Sequence, residues 1–220
     1  LYFGGKEIRT GDGGGFGWCR PPAEGRPVEK GGVKLPAYQV FYMCAAGQGR
    51  YILISTKPGV PGDNPAERPK QGRLFIWDAR EMKMKHELDL PFGNPGPVCE
   101  VFDGLVMGHG YGGEGAGKSV LYGLDPERGE VLWTKEVPEK PVTAFSAVRR
   151  HSWHFGLGPD GKVWTFFGKT LARIEPASAQ IEAVGVIPQR TAAMLAFSGG
   201  KVFVAGGDHF RTLKGVTYRP

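Results

Sequence analysis

The strongest constraint on this chain is a spacing. A proline closes a strand-like segment at Leu35-Pro36, Leu90-Pro91, Val137-Pro138 and Ile187-Pro188, at intervals of 55, 47 and 50 residues. Within each interval the same order recurs, the mark of a repeated supersecondary unit. A moderately apolar segment (38–45, 98–102, 143–148, 191–197) leads through a turn to a strongly apolar one (51–56, 105–108, 163–167, 202–205). A variable loop precedes a third segment (74–78, 120–125, 171–175), and a polar turn precedes a fourth (83–90, 130–137, 180–187). The acid that closes the third segment keeps the period independently: Asp78 to Asp125 is 47 residues and Asp125 to Glu175 is 50. Second segments such as Tyr-Ile-Leu-Ile and Val-Trp-Thr-Phe-Phe lack polar alternation, as strands covered on both faces do.

Four strands in each unit of roughly 40–50 residues describe a β-propeller blade. The predicted fold class is therefore all-β, a propeller of four-stranded antiparallel blades. The expected divisions are a blade remnant at 1–35, blades at 36–90, 91–137 and 138–187, and a partial blade at 188–220. The 36 glycines and 18 prolines would suit a disordered chain. The 40% hydrophobic and 11% aromatic residues provide a core instead. Residues 1–10 align with 203–212, both reading as a second strand, a Gly-Gly and the start of a third. The expectation is a segment of a ring of six to eight blades, completed by the remainder of its own propeller or by a partner chain. A closed ring of four or five blades is the rival.

The stretch from Ser119 to Val137 resembles blades of the PQQ-like (quinoprotein-like) propellers. Its Gly123-x-Asp125-x-x-x-Gly129-Glu130-x-x-Trp133 is similar to their tryptophan-docking motif. The resemblance implies that Asp125 accepts turn hydrogen bonds, Gly129 takes positive φ and Trp133 packs between blades. In the other units a lysine or a glutamine-containing stretch stands in place of Trp133. Gly158-Pro-Asp-Gly-Lys-Val-Trp164, followed by Ala172-Arg-Ile-Glu-Pro176, is similar to virginiamycin-B-lyase-like blades.

The net charge of +6 is spread along the chain, densest at Arg149-Arg150-His151 and from Lys135 to Lys140. Nucleic-acid binding wants basic residues clustered on one face, so no nucleic-acid partner is expected. A diffuse positive field still attracts acidic polymers such as uronate-rich polysaccharides. No apolar run approaches the ~18 residues of a membrane-spanning helix, so no membrane partner is expected. No signal peptide is visible at the start of the sequence. Cys19, Cys44 and Cys99 are an odd number at wide spacing and form no CxxC, which indicates neither a disulfide framework nor a zinc site. One pair could still bridge.

Gly112 to Ser119 matches the phosphate-loop pattern GxxxxGK[ST], with Lys118 in the lysine position. That motif needs a helix after it, and the residues that follow read as a strand, so a glycine loop is expected. His109 and Tyr111 are read at the strand exit before this loop. Such a pair suits a uronate lyase, one group taking a proton and the other protonating the leaving oxygen. Arg150, Trp153 and His154 are read before a second strand, and His209 falls in the corresponding loop of the last unit. The candidate catalytic residues are thus His109, Tyr111, His154 and Arg150. The candidate substrate contacts are Trp153, His209 and Lys118. If His109, His154 and His209 converged, they would hold a metal or an anionic sugar; no metal ligand set is assigned on sequence alone, and no cofactor is identified. Residues 11–33, 57–72 and 109–118 read as loops, with Gly11 to Gly17 an exposed connector into Trp18. Three functions follow: a propeller that binds or cleaves an extracellular carbohydrate, secreted or periplasmic; a non-enzymatic interaction scaffold; and a quinoprotein-type oxidoreductase. The third is disfavoured, because one unit alone carries the full docking motif.

Overall fold

The computed structural model describes residues 2–6, 14–20, 28–59, 69–102, 104–112, 119–137, 156–167, 170–186, 194–205 and 216–217. Five antiparallel sheets follow one another along the chain. The first holds β1 (Tyr2–Lys6), β2 (Gly14–Arg20) and β3 (Glu29–Leu35). The second holds β4 (Tyr38–Ala46), β5 (Tyr51–Pro58), β6 (Leu74–Asp78) and β7 (Lys83–Leu88). The third holds β8 (Val98–Phe102), β9 (Leu105–Tyr111), β10 (Ser119–Asp125) and β11 (Glu130–Val137). The fourth holds β12 (Gly156–Leu157), β13 (Val163–Phe167), β14 (Thr170–Glu175) and β15 (Gln180–Val186). The fifth holds β16 (Met194–Ser198), β17 (Lys201–Ala205) and β18 (Val216–Thr217). Strands pair in chain order within every sheet.

The central strands are apolar for the reason the sequence suggests. All of β6, and residues 51–56 of β5, are buried, because each sheet is covered on both faces. Phe16, Ile52, Ile54, Phe75 and Trp77 join the first and second sheets, with Phe16 edge-on to Trp77 at 5.1 Å. Leu53 and Ile76 meet Val98, Val106 and Tyr122 between the second and third. Met107 and Leu121 meet Val163, Phe167 and Ile174 between the third and fourth. Trp164 and Phe197, 5.6 Å apart, link the fourth to the fifth. At the sheet edge, β11 regains alternation over residues 130–134.

The turn after each third strand shows why the acid is periodic. Asp78 Oδ1 accepts bonds from the amides of Arg80 and Glu81 at 2.9 and 3.0 Å. Asp125 Oδ1 accepts from Glu127 and Arg128 at 2.8 and 3.1 Å. The residue four past the acid takes the left-handed conformation in each turn: Met82 at φ 54°, Gly129 at 69° and Ala179 at 55°. The roles implied for Asp125, Gly129 and Trp133 are the ones they play, with Trp133 lying across Gly123 and against the third–fourth core.

Three expectations change. Residues 14–20 and 29–35 form strands rather than a glycine connector. A Cβ at Gly31 would come within 2.7 Å of the Trp18 ring, so the glycines make room for a cross-strand tryptophan. In the unit beginning at 138, the first strand is β12; segment 143–148 lies outside the described residues. The place of Trp133 is taken by His86 in the second sheet and Glu182 in the fourth. A bulge at Lys85 shifts the pairing by one, so that Ile76 faces His86 as Gly123 faces Trp133. Arg173 faces Glu182 without that bulge.

Candidate functional site

Antiparallel order sorts the connections to two ends. Tight turns between first and second strands, and between third and fourth, lie at one end. The longer connections, between second and third strands and from sheet to sheet, lie at the other.

At the turn end, polar groups join blade to blade. The Arg50 guanidinium bonds Asp78 Oδ2 and, from the next sheet, Glu127 Oε1, each at 3.3 Å. Burial pushes the Asp78 carboxyl up, but the Glu81 and Arg80 amides and the Arg50 guanidinium outweigh it, and the group sits below the usual carboxylate range. His86 Nε2 bonds Glu127 O at 2.9 Å, and its ring lies against Gly129, where a Cβ would come within 2.6 Å. Glu100 Oε1 accepts from Gly47 N at 2.7 Å and from Gly104 N at 3.3 Å. Gly47, Gln48 and Gly49 all have positive φ, and the Gly47 amide of this turn is capped by the next blade's carboxylate. In the fourth sheet, Asp160 Oδ1 accepts from Trp164 Nε1 at 3.0 Å, and Arg173 bridges Asp160 and Glu182. Asn94, His86, Glu100 and Arg50 were not singled out from sequence, since their partners lie tens of residues away.

At the connector end, the link between the second and third sheets is a buried clasp. Asn94 Oδ1 accepts from Gly72 N at 2.6 Å, and its amide nitrogen reaches Gly112 O at 3.5 Å. Ser55 Oγ donates to Pro95 O at 2.6 Å, and His109 N to Pro97 O at 3.0 Å. Phe92 covers Gly110 and stacks on Tyr122 at 5.0 Å, while the Tyr122 ring lies flat on Gly108. The Gly-His-Gly run is thus paving beneath two aromatic rings.

This places His109 differently from its sequence reading. It lies within β9, opposite Leu121, and is 0% exposed. Burial depresses its imidazole to about 3, so it is neutral across the ordinary pH range. Tyr111 ends β9 opposite Ser119. Lys118, Arg150, Trp153, His154 and His209 lie outside the described residues. A strand, β10, follows the glycine loop where a phosphate site would need a helix. The same end carries two cation–aromatic pairs, Lys57 over Phe41 at 4.9 Å and Arg73 over Tyr38 at 5.8 Å. Burial raises the Tyr38 phenol, opposed by Arg73.

All three cysteines are free thiols. Burial pushes the Cys44 thiol up to about 12 and raises Cys99 as well, which leaves both unreactive. Cys44 packs on the second–third core and Cys99 on the third–fourth core, so their side chains point to opposite faces of the third sheet.

No family model matches the chain, and no curated protein matches it in sequence. Solved structures do match. The Dos1 propeller is 11% identical with a TM-score of 0.61, covering 98% of this chain and 56% of its own. The WD40 propeller domain of Doa1 is 14% identical with a TM-score of 0.52, covering 80% of this chain and 50% of its own. The periplasmic gluconolactonase of Pseudomonas aeruginosa is 15% identical with a TM-score of 0.57, covering 99% and 67%. The chain has the β-propeller fold. It spans between half and two thirds of the length of these propellers, and the five sheets form a partial ring.

Proposed function

We propose that this propeller is a non-enzymatic interaction scaffold that offers its connector end to a macromolecular partner. The observation that supports the reading is the burial of His109 within the third blade. Other described polar groups are structurally engaged: Arg50 and Glu100 bond from one sheet to the next, Asn94 clasps the connection between the second and third sheets, and Asp78 and Asp160 bond within their own sheets. The connections that vary in length meet at one end of a rigid frame, where binding surfaces are commonly built. WD40 propellers among the matching structures fit a general protein-interaction role.

A second reading keeps a carbohydrate ligand at the same end. It rests on the pairing of Phe41 with Lys57 and Tyr38 with Arg73, aromatic faces with adjacent cations that suit a sugar acid. Tyr111, Arg150, Trp153, His154, His209 and Lys118 would complete it. Incubation with polygalacturonate and alginate, followed in the near ultraviolet, separates the two. The scaffold reading expects no unsaturated product. Product formation abolished by Tyr111→Phe would sink it in favour of the carbohydrate reading.

A further inference from the structure

We propose that the partner offers this protein an acidic peptide segment, which seats on a basic lip at the connector end of the second sheet. The inference rests on the scaffold reading and names the chemistry of its partner.

Three cation-bearing stretches of the chain meet at this lip. Lys34 lies one residue before the end of β3, and the Pro36-Ala37 link carries the chain into β4. Ala37 O accepts from Gly59 N at 2.7 Å, which lays this link beside the end of β5, where Lys57 stands opposite Gln39. On the other side of β5, Thr56 N donates to Arg73 O at 3.0 Å, and a Cβ on Gly72 would come within 3.0 Å of the Lys57 Cα. Lys34, Lys57, Lys70 and Arg73 therefore share one lip, with Lys34 and Lys70 exposed.

The described acids at the lip are already committed. Asp89 takes the Arg73 guanidinium in a bidentate pair at 2.7 and 2.9 Å, and Glu87 lies 3.7 Å from the same group. Among the described residues no carboxylate pairs with Lys34 or Lys70. At the turn end Arg50, Lys83 and Arg128 each have a carboxylate, at 3.3, 2.6 and 3.7 Å. The lip thus keeps an excess of positive charge, which calls for a partner of opposite sign.

The aromatic rings favour a peptide over a sugar acid or a nucleic acid. Phe41 has Lys57 over it and Tyr42 edge-on at 4.5 Å. Tyr38 has Arg73 over it and Phe75 edge-on at 5.6 Å. Each ring meets a cation and a second ring, so it serves to hold its cation in place, whereas bases bind by stacking on an open ring. Lysine ammoniums are point charges on flexible stems, which suits the separately placed carboxylates of an extended acidic chain.

Fluorescence anisotropy on the full chain tests this with two labelled peptides, one alternating glutamate with serine and one alternating lysine with serine. The acidic peptide alone should bind. Lys34→Glu with Lys70→Glu should weaken it about tenfold, and Arg80→Glu with Arg128→Glu, an equal change of charge at the turn end, should leave it unchanged. Binding should disappear between about 0.1 and about 1 M salt, as the Debye length falls from about 10 to about 3 Å. No binding of the acidic peptide, equal weakening by both pairs, or tighter binding of polygalacturonate or a single-stranded oligonucleotide in competition overturns the proposal. Cellular partner complexes that are lost with the connector-end pair yet persist at about 1 M salt would keep the scaffold reading and overturn this one. Failure of the scaffold reading itself shows as an unsaturated product from polygalacturonate, which the peptide titration does not register.

Discussion

Lowering the pH should unfold this protein through His109. The folded chain holds the imidazole near 3 by burial, whereas the unfolded chain protonates it from its ordinary 6.5 downward. The folded value is depressed for a group that is neutral when folded. Its contribution is therefore unchanged above pH 6.5, is lost progressively as the pH falls below that, and stops changing near 3. From 6.5 to 5 the interval is about 1.5 pH, worth about 2 kcal/mol at about 1.36 kcal/mol per pH. For a domain of this size that corresponds to a fall in Tm of roughly 4–8 °C. Urea unfolding of wild type and His109→Gln across pH 7.5 to 4.5 isolates the residue. The wild-type curve should drop relative to the variant by about 2 kcal/mol at pH 5. Parallel curves, or a His109 ring that titrates near 6.5 by NMR in the folded protein, would refute the burial that supports the scaffold reading.

Other substitutions report on packing. The Tyr122 hydroxyl is buried with no hydrogen-bond partner among the described residues, so Tyr122→Phe should stabilise by about 1 kcal/mol; a loss of that size by urea titration would reveal a partner. Gly108→Ala drives a methyl into the Tyr122 ring and should cost about 1–3 kcal/mol, with Tyr122→Leu restoring part of it in the double variant. Met82→Gly removes a side chain from a left-handed backbone at φ 54°; the relief of about 1–2 kcal/mol exceeds the entropy cost of glycine, so thermal unfolding should shift upward, and a downward shift counts against strain in that turn. Glu100→Ala removes the acceptor for the Gly47 and Gly104 amides, and should cost about 1–3 kcal/mol.

The strands were legible because packing sets their composition. β5 and β6 lie between two neighbours, so residues 51–54 and 74–77 read as unbroken apolar runs, and the Asp78, Asp125 and Glu175 spacing reflects one turn built three times. β2 and β3 were hidden, because the glycines of β2 and Gly31 of β3, which makes room for Trp18 across the pair, read as a loop when the cross-strand partner is out of view. His109 was misplaced for a related reason. A histidine between two glycines looks like a strand exit, yet the glycines are there to admit Phe92 and Tyr122. His86 stands eight residues past Asp78, as Trp133 does past Asp125, and was missed because a histidine does not read as the docking tryptophan. Contacts such as Gly47 with Glu100 join residues 53 apart and leave no local pattern.

The most direct test of the scaffold account compares the two ends of the ring. Lys34→Glu with Lys70→Glu changes exposed charge at the connector end, and Arg80→Glu with Arg128→Glu does so at the turn end. Each pair is placed in the protein in its producing cells, and partner-bound complexes are quantified after chemical cross-linking. The account predicts that the first pair removes most of the bound fraction and the second leaves it unchanged. Equal loss from both pairs, or loss from the turn-end pair alone, would contradict it.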